Sequence, residues 1–523
     1  MGFELTRRNF LATGALGLAG AAMAGMGLQS CAKSESAAPE TNGAKADGAS
    51  VDTINSSGIV VDPNNVTETI DCGVLVVGCG LSGLAASVQA AMNGDRVIAL
   101  EGQSVVGGNG QGVEGTFAVD SRFQKEQGIE VDKSVVMQEE LGKPQWYVDG
   151  LFYKDLINNS AGNLEWLADE CGVEYSGLID NYPFGAGGGK VDTFHWYKDG
   201  AAAVGYLVPM EAKARELGVD IRLNSRALEF YYDENGDVNG VYAQDAFGDL
   251  VVFRAPAVIV ATGGFCRNHE MISEYMPDFA SISTEVGVGS TGEGLRMGLD
   301  IGADYIGHGG VNGILWCPAA AGQSKLIDKK ALWVAPDGKR FENEAGQTHD
   351  IFYKVAKFDG TKFYAVYDQA MVDKLEGVPA NDFKIGMEKG MFAQGDTVAE
   401  AAEKLGLDGA TVQATLDAYN AMAEAGEDTE FGKKAENLLP ITQAPFYVLT
   451  MSVTSHGSFG GYRVNTDFQV LDTDGVPIPN LYSAGEVCSG TFIYDEYPAG
   501  GCGLNWAYTS GRFSGENAAK AAV

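Results

Sequence analysis

Gly73-Val74-Leu75-Val76-Val77-Gly78-Cys79-Gly80-Leu81-Ser82-Gly83 is the stretch on which the fold turns. Its apolar run reads as a short strand buried on both faces. The three spaced glycines follow at once. Leu84 to Asn93 then has helical character with small side chains, and Arg96 to Leu100 is a second apolar run ending at Glu101. This is a strand–turn–helix–strand unit. The first glycine permits the turn, the second lets backbone approach a pyrophosphate, and the third lets helix and strand pack closely. The helix N-terminus offers free N–H groups and a positive dipole end to the phosphates. Glu101, 18 residues after Gly83, is placed to accept bonds from adenosine ribose hydroxyls. The unit reads as a dinucleotide site; the bland alternative is a Gly-rich turn between packed strands.

Composition agrees with a large ligand. Glycine supplies 71 of 523 residues, roughly twice the usual ~7%. Scattered glycines mark places where backbone must turn tightly or lie close to something. The 36 Lys and Arg against 70 Asp and Glu leave a formal charge of −34. That balance argues against nucleic acid as a partner, because phosphate-backbone affinity comes largely from Lys and Arg. With 45% apolar residues the chain can bury a core, and its length predicts two or three domains.

The N-terminus reads as an address. Thr6-Arg7-Arg8-Asn9-Phe10-Leu11 precedes the mildly apolar run Ala12 to Leu28, the pattern of a Tat export signal. Leu28-Gln29-Ser30-Cys31 resembles a lipobox, in which Cys31 would be lipidated and anchor the chain. Residues 1–31 are therefore expected to be a leader, and 32–69, small and polar, a disordered linker. The other cysteines, 72, 79, 171, 266, 317, 488 and 502, are widely spaced and form no CxxC. They make no case for a metal site or a disulfide framework.

Further motifs decide which dinucleotide. Gly107-Gly108-Asn109-Gly110-Gln111-Gly112 is a second glycine cluster; Ala261-Thr262-Gly263-Gly264 follows a further strand, and Ala484-Gly485-Glu486 stands near the end. A single nicotinamide domain has no need of these dispersed elements. With Gly292-Glu293-Gly294, two helices (Thr397 to Leu405 and Val412 to Ala423), Asp428 to Lys433 and Ala444-Pro445-Phe446-Tyr447, they give residues 70–523 a clear likeness. The chain resembles the flavoproteins of the fumarate reductase and succinate dehydrogenase superfamily. It looks nearest to the soluble exported reductases and their relatives acting on urocanate, ketosteroids and other enones.

The resemblance implies an α/β fold. A discontinuous Rossmann-like FAD-binding domain (70–305 and 457–523) would carry an inserted α+β capping domain (306–456), with the site between them. It implies FAD contacts from Ser82, Glu101, Asn109, Gly110, Glu293, Glu486, Gly503 and Leu504. Gly78, Gly80, Gly83, Gly108, Thr262, Gly263 and Gly485 complete the expected cofactor-binding set. Asn109-Gly110-Gln111 lacks the His that carries covalent FAD in some members, so the cofactor is expected to be non-covalent. The implied reaction passes hydride to one carbon of a polarised C=C bond while a protein acid protonates its neighbour.

The departures from fumarate reductase are informative. Lys339-Arg340-Phe341-Glu342-Asn343-Glu344 fits, but His349 stands near the place of the proton-donating Arg. The relay Glu and Arg fall near Ser324 and Ile327, and a substrate-clamping Arg falls near Tyr497-Pro498. An Arg fork grips a carboxylate bidentately; Tyr and Pro cannot. These losses argue against fumarate. Tyr497 followed by Gly501 resembles the ketosteroid dehydrogenase branch, where a phenol and a backbone N–H hold a ketone oxygen. The expected catalytic set is Tyr497, His349, His456 and Gly501, with His308 a weaker candidate and His195 and His269 packing or surface residues. The expected function is an exported reductase of an enone or of an unsaturated acid other than fumarate, serving anaerobic respiration. Electrons would come from a separate donor such as a membrane-associated cytochrome. The alternatives are a ketosteroid-type dehydrogenase running oxidatively and a flavin electron carrier without its own substrate.

Overall fold

A computed structural model describes residues 58–142, 147–182, 191–198, 203–320, 326–346, 348–495 and 497–522. The expected leader and Cys31 lie outside them, as does Ser324. No helix among the described residues is long and apolar enough to cross a membrane.

The central six-stranded sheet runs in the order Gln469–Leu471, Pro477–Ser483, Ala257–Val260, Val74–Val77, Val97–Glu101, Asp220–Leu223. All neighbours are parallel except the first pair. Val74 to Val77 are buried without exception, as a strand covered on both faces must be. Val74 and Val76 join a core with Leu84, Ala85 and Val88 of the helix Leu81–Met92. Leu75 and Val77 face the opposite way, into a core with Phe230, Val241 and Phe253. The alternation is the period-2 geometry of a strand.

The C-terminal helix Cys502–Ala521 crosses the helix Leu81–Met92 at close range. A Cβ on Gly511 would lie 2.2 Å from the Ser82 carbonyl, and one on Gly515 2.4 Å from that of Ala86. Small residues at the crossing are what let the chain's end reach the first glycine loop.

The folded region starts earlier than the expected linker allows. Val66–Asp71 is a strand, paired in parallel with Leu250–Arg254 at the edge of a four-stranded sheet. Only Ile70 of it is buried, so a wet edge strand reads as linker composition.

The second large sheet is built on one long strand, Phe446–Tyr462, which pairs with Tyr305–Trp316, Lys362–Asp368, Phe392–Gly395 and Ser283–Thr284. The helices Val398–Lys404 and Gly409–Ala425 cover it with a separate core of Leu332, Val366, Val448, Ala401, Leu416 and Tyr419. Thr397 and Asp408 cap them with side-chain oxygens. Tyr305–Trp316 and Phe446–Tyr462 leave this sheet together and run toward the central one, which delivers their far ends to the cofactor region.

A three-stranded sheet orders Gly115–Phe117, Phe194–Tyr197 and Tyr175–Asp180. His195 is fully buried in it. Its Nδ1–H donates to the Thr193 carbonyl at 3.1 Å, and Nε2 accepts from the Ser121 hydroxyl at 2.7 Å. His195 is thus a packing residue, and His269 opens the exposed start of its helix. Burial depresses the His195 imidazole to about 4. Unfolded His titrates near 6.5, so between these values the unfolded chain binds a proton that the fold refuses. Stability should be full above pH ~6.5 and fall by about 3 kcal/mol as pH drops through about 4. Urea midpoints at pH 7 and pH 5 check this, and His195→Gln should flatten the slope.

Candidate active site

The first glycine loop divides its labour. Gly78, at φ +101°, donates to the Leu100 carbonyl, and a Cβ there would lie 2.5 Å from the Ala261 carbonyl. A Cβ on Gly83 would lie 1.8 Å from the Gly78 carbonyl. These two serve packing. Around Gly80 the nearest atom to such a Cβ is the Gly107 carbonyl at 3.9 Å, so its backbone lies open. Gly80 also caps the helix Leu81–Met92 without any side-chain bond, leaving terminal N–H donors free for a phosphate. Glu101 accepts the Cys79 N–H at 2.9 Å and the Gln103 N–H at 2.8 Å. It braces the loop it was expected to serve, and burial pushes its carboxyl up.

Glu486 gathers the other motifs. Its Oε2 accepts from Asn109 Nδ2 at 2.9 Å, and its Oε1 from the Ser458 N–H at 2.8 Å. Asn109 Oδ1 in turn accepts the Gly287 N–H at 2.6 Å. A Cβ on Gly264 would lie 2.0 Å from Glu486 Oε1. Desolvation raises the Glu486 carboxyl, and the bonds from Ser458 and Asn109 oppose it. Gly110 is held through its carbonyl by the Tyr206 hydroxyl. Gly485, at φ +83°, sits against the buried Ser82 hydroxyl and accepts the Trp506 indole N–H at 3.0 Å. Leu504 packs beside the helix core.

These features fit FAD. Cβ atoms on Gly108 and Gly263 would meet nothing within 4 Å, so like Gly80 they present bare backbone. The buried hydroxyls of Thr262 and Ser290 have no hydrogen-bond partner among the described residues, as expected of groups that bind a ligand. Glu293 is placed otherwise than expected. Arg226 grips both its oxygens, with Nε to Oε2 at 2.8 Å, so the carboxylate is spent on an ion pair.

The reaction side lies where Tyr305–Trp316 and Phe446–Tyr462 meet the C-terminal loop. A Cβ on Gly310 would lie 2.4 Å from Asp495 Cα, and one on Gly490 2.0 Å from the Ile306 carbonyl. The loop is pressed flat on the strands. Tyr497 packs 6.2 Å from Phe459 and accepts the Gly503 N–H at 2.6 Å. Its own hydroxyl proton meets no acceptor among the described residues. Gly501, at φ +80°, opens the C-terminal helix and accepts the Phe117 N–H at 3.4 Å. No hydrogen bond joins Tyr497 to Gly501 among the described residues.

His456 lies opposite an irregularity in the partner strand between Val311 and Gly313. Its ring stands 6.3 Å from Trp316 and has no hydrogen-bond partner among the described residues. Burial lowers it to about 4, so it is neutral at pH 7. His349, on the helix Thr348–Ala356, lies 4.4 Å from Tyr353, whose hydroxyl donates to the Asp495 carbonyl at 3.2 Å. His308 sits 4.5 Å from Tyr494, and Tyr147 stacks on Tyr494 at 4.6 Å. Sequence reasoning missed Tyr147 and Tyr353, which join the loop only in three dimensions.

From residue 305 onward the chain has three arginines, and all are engaged. Arg340 binds Glu344 and Asp428, Arg463 pairs with Asp304, and Arg512 holds Gln89 and Asn163. Glu344, in the stretch that fits the family pattern, is fully buried in that ion cluster.

Residues 73–504 match the family described as FAD binding domain. The chain is 31% identical to a vinyl phenol reductase of Lactiplantibacillus plantarum, over 86% of this chain and 96% of that one. It is 31% identical to a urocanate reductase of Eggerthella lenta, over 87% and 76%. Among solved structures, a flavocytochrome c3 fumarate reductase in its open conformation superposes with a TM-score of 0.74 at 28% identity, covering 88% of this chain and 80% of that one. A 3-ketosteroid-Δ4-(5α)-dehydrogenase from Rhodococcus jostii RHA1 shares the fold, with a TM-score of 0.71 at 24% identity over 87% and 99%. The chain belongs to the FAD binding domain family and is an FAD-dependent oxidoreductase of the fumarate reductase-like kind.

Proposed function

We propose that this protein reduces the C=C bond of a neutral substrate, an alkene conjugated to a ketone or to an aromatic ring. The observation that carries the reading is the engagement of every arginine beyond residue 305 with another side chain, which leaves none of these three as an unpaired fork for a dicarboxylate. The names of two relatives, reductases of vinyl phenol and urocanate, fit a conjugated alkene. Bound in the glycine cradle, the flavin supplies the hydride chemistry.

The chain's own residues supply the rest. Tyr497 can donate its free O–H to a substrate oxygen while Gly503 N–H holds the phenol in place. His456, neutral and unpartnered, offers one N–H to the same developing charge. Neutral donors suit a charge that appears only in the transition state. Tyr147 stacks on Tyr494, and Tyr353 bonds the Asp495 carbonyl, which gives the loop an aromatic border. Export by the twin-Arg leader, lipidation at Cys31, non-covalent FAD and electrons from a membrane-associated cytochrome belong to the same reading, supported by the leader pattern and the missing His. The role is then anaerobic respiration.

Reduced viologen with neutral enones, a vinyl phenol, acrylate and fumarate tests this, scored as mass gain of two hydrogens. Turnover confined to fumarate would sink it. Tyr497→Phe should lower kcat about 100-fold while the visible flavin spectrum stays.

A further inference from the structure

One carboxyl in the site has no assigned task. Glu114 follows the second glycine cluster and precedes the strand Gly115–Phe117, on which Gly501 rests. Its strand thus joins the second glycine cluster of the cofactor cradle to the loop at Gly501, and its partner Tyr182 faces Tyr497. Its one side-chain partner among the described residues is the Tyr182 hydroxyl, which donates to Oε2 at 3.4 Å. Tyr182 is wedged under the loop: a Cβ on Gly500 would lie 2.5 Å from its own Cβ. Tyr206, bonded to the Gly110 carbonyl, flanks the carboxyl on the other side.

No cation approaches Glu114 among the described residues. Lys198, just past the strand Phe194–Tyr197 whose Tyr197 N–H donates to the Glu114 carbonyl, is paired with Glu174. The groups that face the pair are phenols, Tyr182, Tyr206 and Tyr497, and the carboxylate of Asp180 behind Tyr182. A half-buried carboxylate with one long bond and no counter-ion among the described residues is disfavoured in its ionised form. Desolvation raises its carboxyl accordingly.

We propose that Glu114 is the acid of the alkene reduction and Tyr182 its positioning residue. This rests on the reading of the site as an alkene reductase. The Glu114 O–H bond breaks, and its proton joins the carbon next to the one that takes hydride. The π-electron pair of the C=C bond forms that second C–H bond. Glu114 is left as a carboxylate and regains a proton from solvent before the next turnover. His349 is the competing acid, carried by a different helix and packed on Tyr353.

The test uses the FAD-loaded full chain with Glu114→Gln, Tyr182→Phe and His349→Gln. Infrared difference spectra between neutral and alkaline pH should show a protonated-carboxyl C=O band that Glu114→Gln abolishes, with or without substrate. Glu114→Gln should lower kcat by roughly 10²–10⁴-fold, retain FAD and remove the alkaline limb of the pH–rate profile. Tyr182→Phe should move that limb to higher pH, since the hydroxyl bond favours the ionised form. His349→Gln should leave the limb in place. An active wild type matched by Glu114→Gln in kcat and profile, or lacking the carboxyl band, overturns the proposal. A wild type that turns over no neutral alkene instead sinks the functional reading, and shows it by its own inactivity.

Discussion

Arg340→Met should destabilise the protein by about 3–5 kcal/mol, the largest effect expected of any single change outside the cofactor site. Arg340 is 8% exposed and carries four short bonds. Two go to Glu344, which is 0% exposed, and two to Asp428 at 2.9 and 2.8 Å. Lys433 completes the cluster, 3.2 Å from Glu344 Oε2 and donating to the Ala331 carbonyl and the Tyr419 hydroxyl. Tyr419 and Phe431 pack against the guanidinium at 5.3 and 5.0 Å. Two positive and two negative groups balance inside one core. Removing the arginine leaves two carboxylates facing one ammonium, away from water. Burial works against the ionised Asp428, but Arg340 and three backbone N–H groups outweigh it and hold the carboxyl well below its usual range. Its share of stability is therefore full above pH ~4 and lost as pH falls further. Denaturant unfolding followed by tryptophan fluorescence measures the loss, and Trp333, fully packed beside Glu344, reports on the right region. A variant within 1 kcal/mol of wild type would show that the cluster is no keystone.

Gly80→Ala and Gly83→Ala should part company. Both lie in one glycine loop, and both would read as loss-of-cofactor changes from sequence. A methyl on Gly83 must sit 1.8 Å from a backbone carbonyl that cannot move without opening the helix–strand contact. That variant should fail to accumulate as folded protein. A methyl on Gly80 meets nothing nearer than 3.9 Å, so the fold should persist. It fills the space kept open above bare backbone, and overpacking a site costs ~1–3 kcal/mol. FAD affinity should then fall roughly 10–100-fold, with the thermal stability of the apoprotein unchanged. Flavin fluorescence titration reads the first quantity and apoprotein melting the second. A folded Gly83→Ala, or a Gly80→Ala that holds FAD like wild type, would show that the division of labour is wrong.

Local patterns were legible for physical reasons. The apolar run at 74–77 and the glycine spacing after it fix a strand, a turn and a helix through sterics within a few residues. The two helices read at Thr397 to Leu405 and Val412 to Ala423 are present, the second beginning at Gly409, where the Asp408 side chain caps its neighbours' N–H groups. Where the reading slipped, the missing information was non-local. Val66–Asp71 looks like linker because its one buried residue is set by a partner 183 residues away, joined through Asp71 and Arg254. Glu293 looked like a cofactor ligand, and Arg226, 67 residues earlier, claims it. What Glu344 does was not legible either, because Arg340 and Lys433, the latter 89 residues later, hold it in a structural cluster.

The sequence by itself determined the dinucleotide unit, the cofactor class and the loss of the arginines that would clamp a dicarboxylate, since each rests on residue type and short spacing. Tertiary structure alone decided which carboxylates are free. Glu293 and Glu344 are neutralised by Arg226 and Lys433, distant in the chain, whereas the one side-chain partner of Glu114 among the described residues is a phenol. Charge compensation in a low-dielectric interior depends on distance in space, and that is set only when strands and helices far apart in sequence have packed.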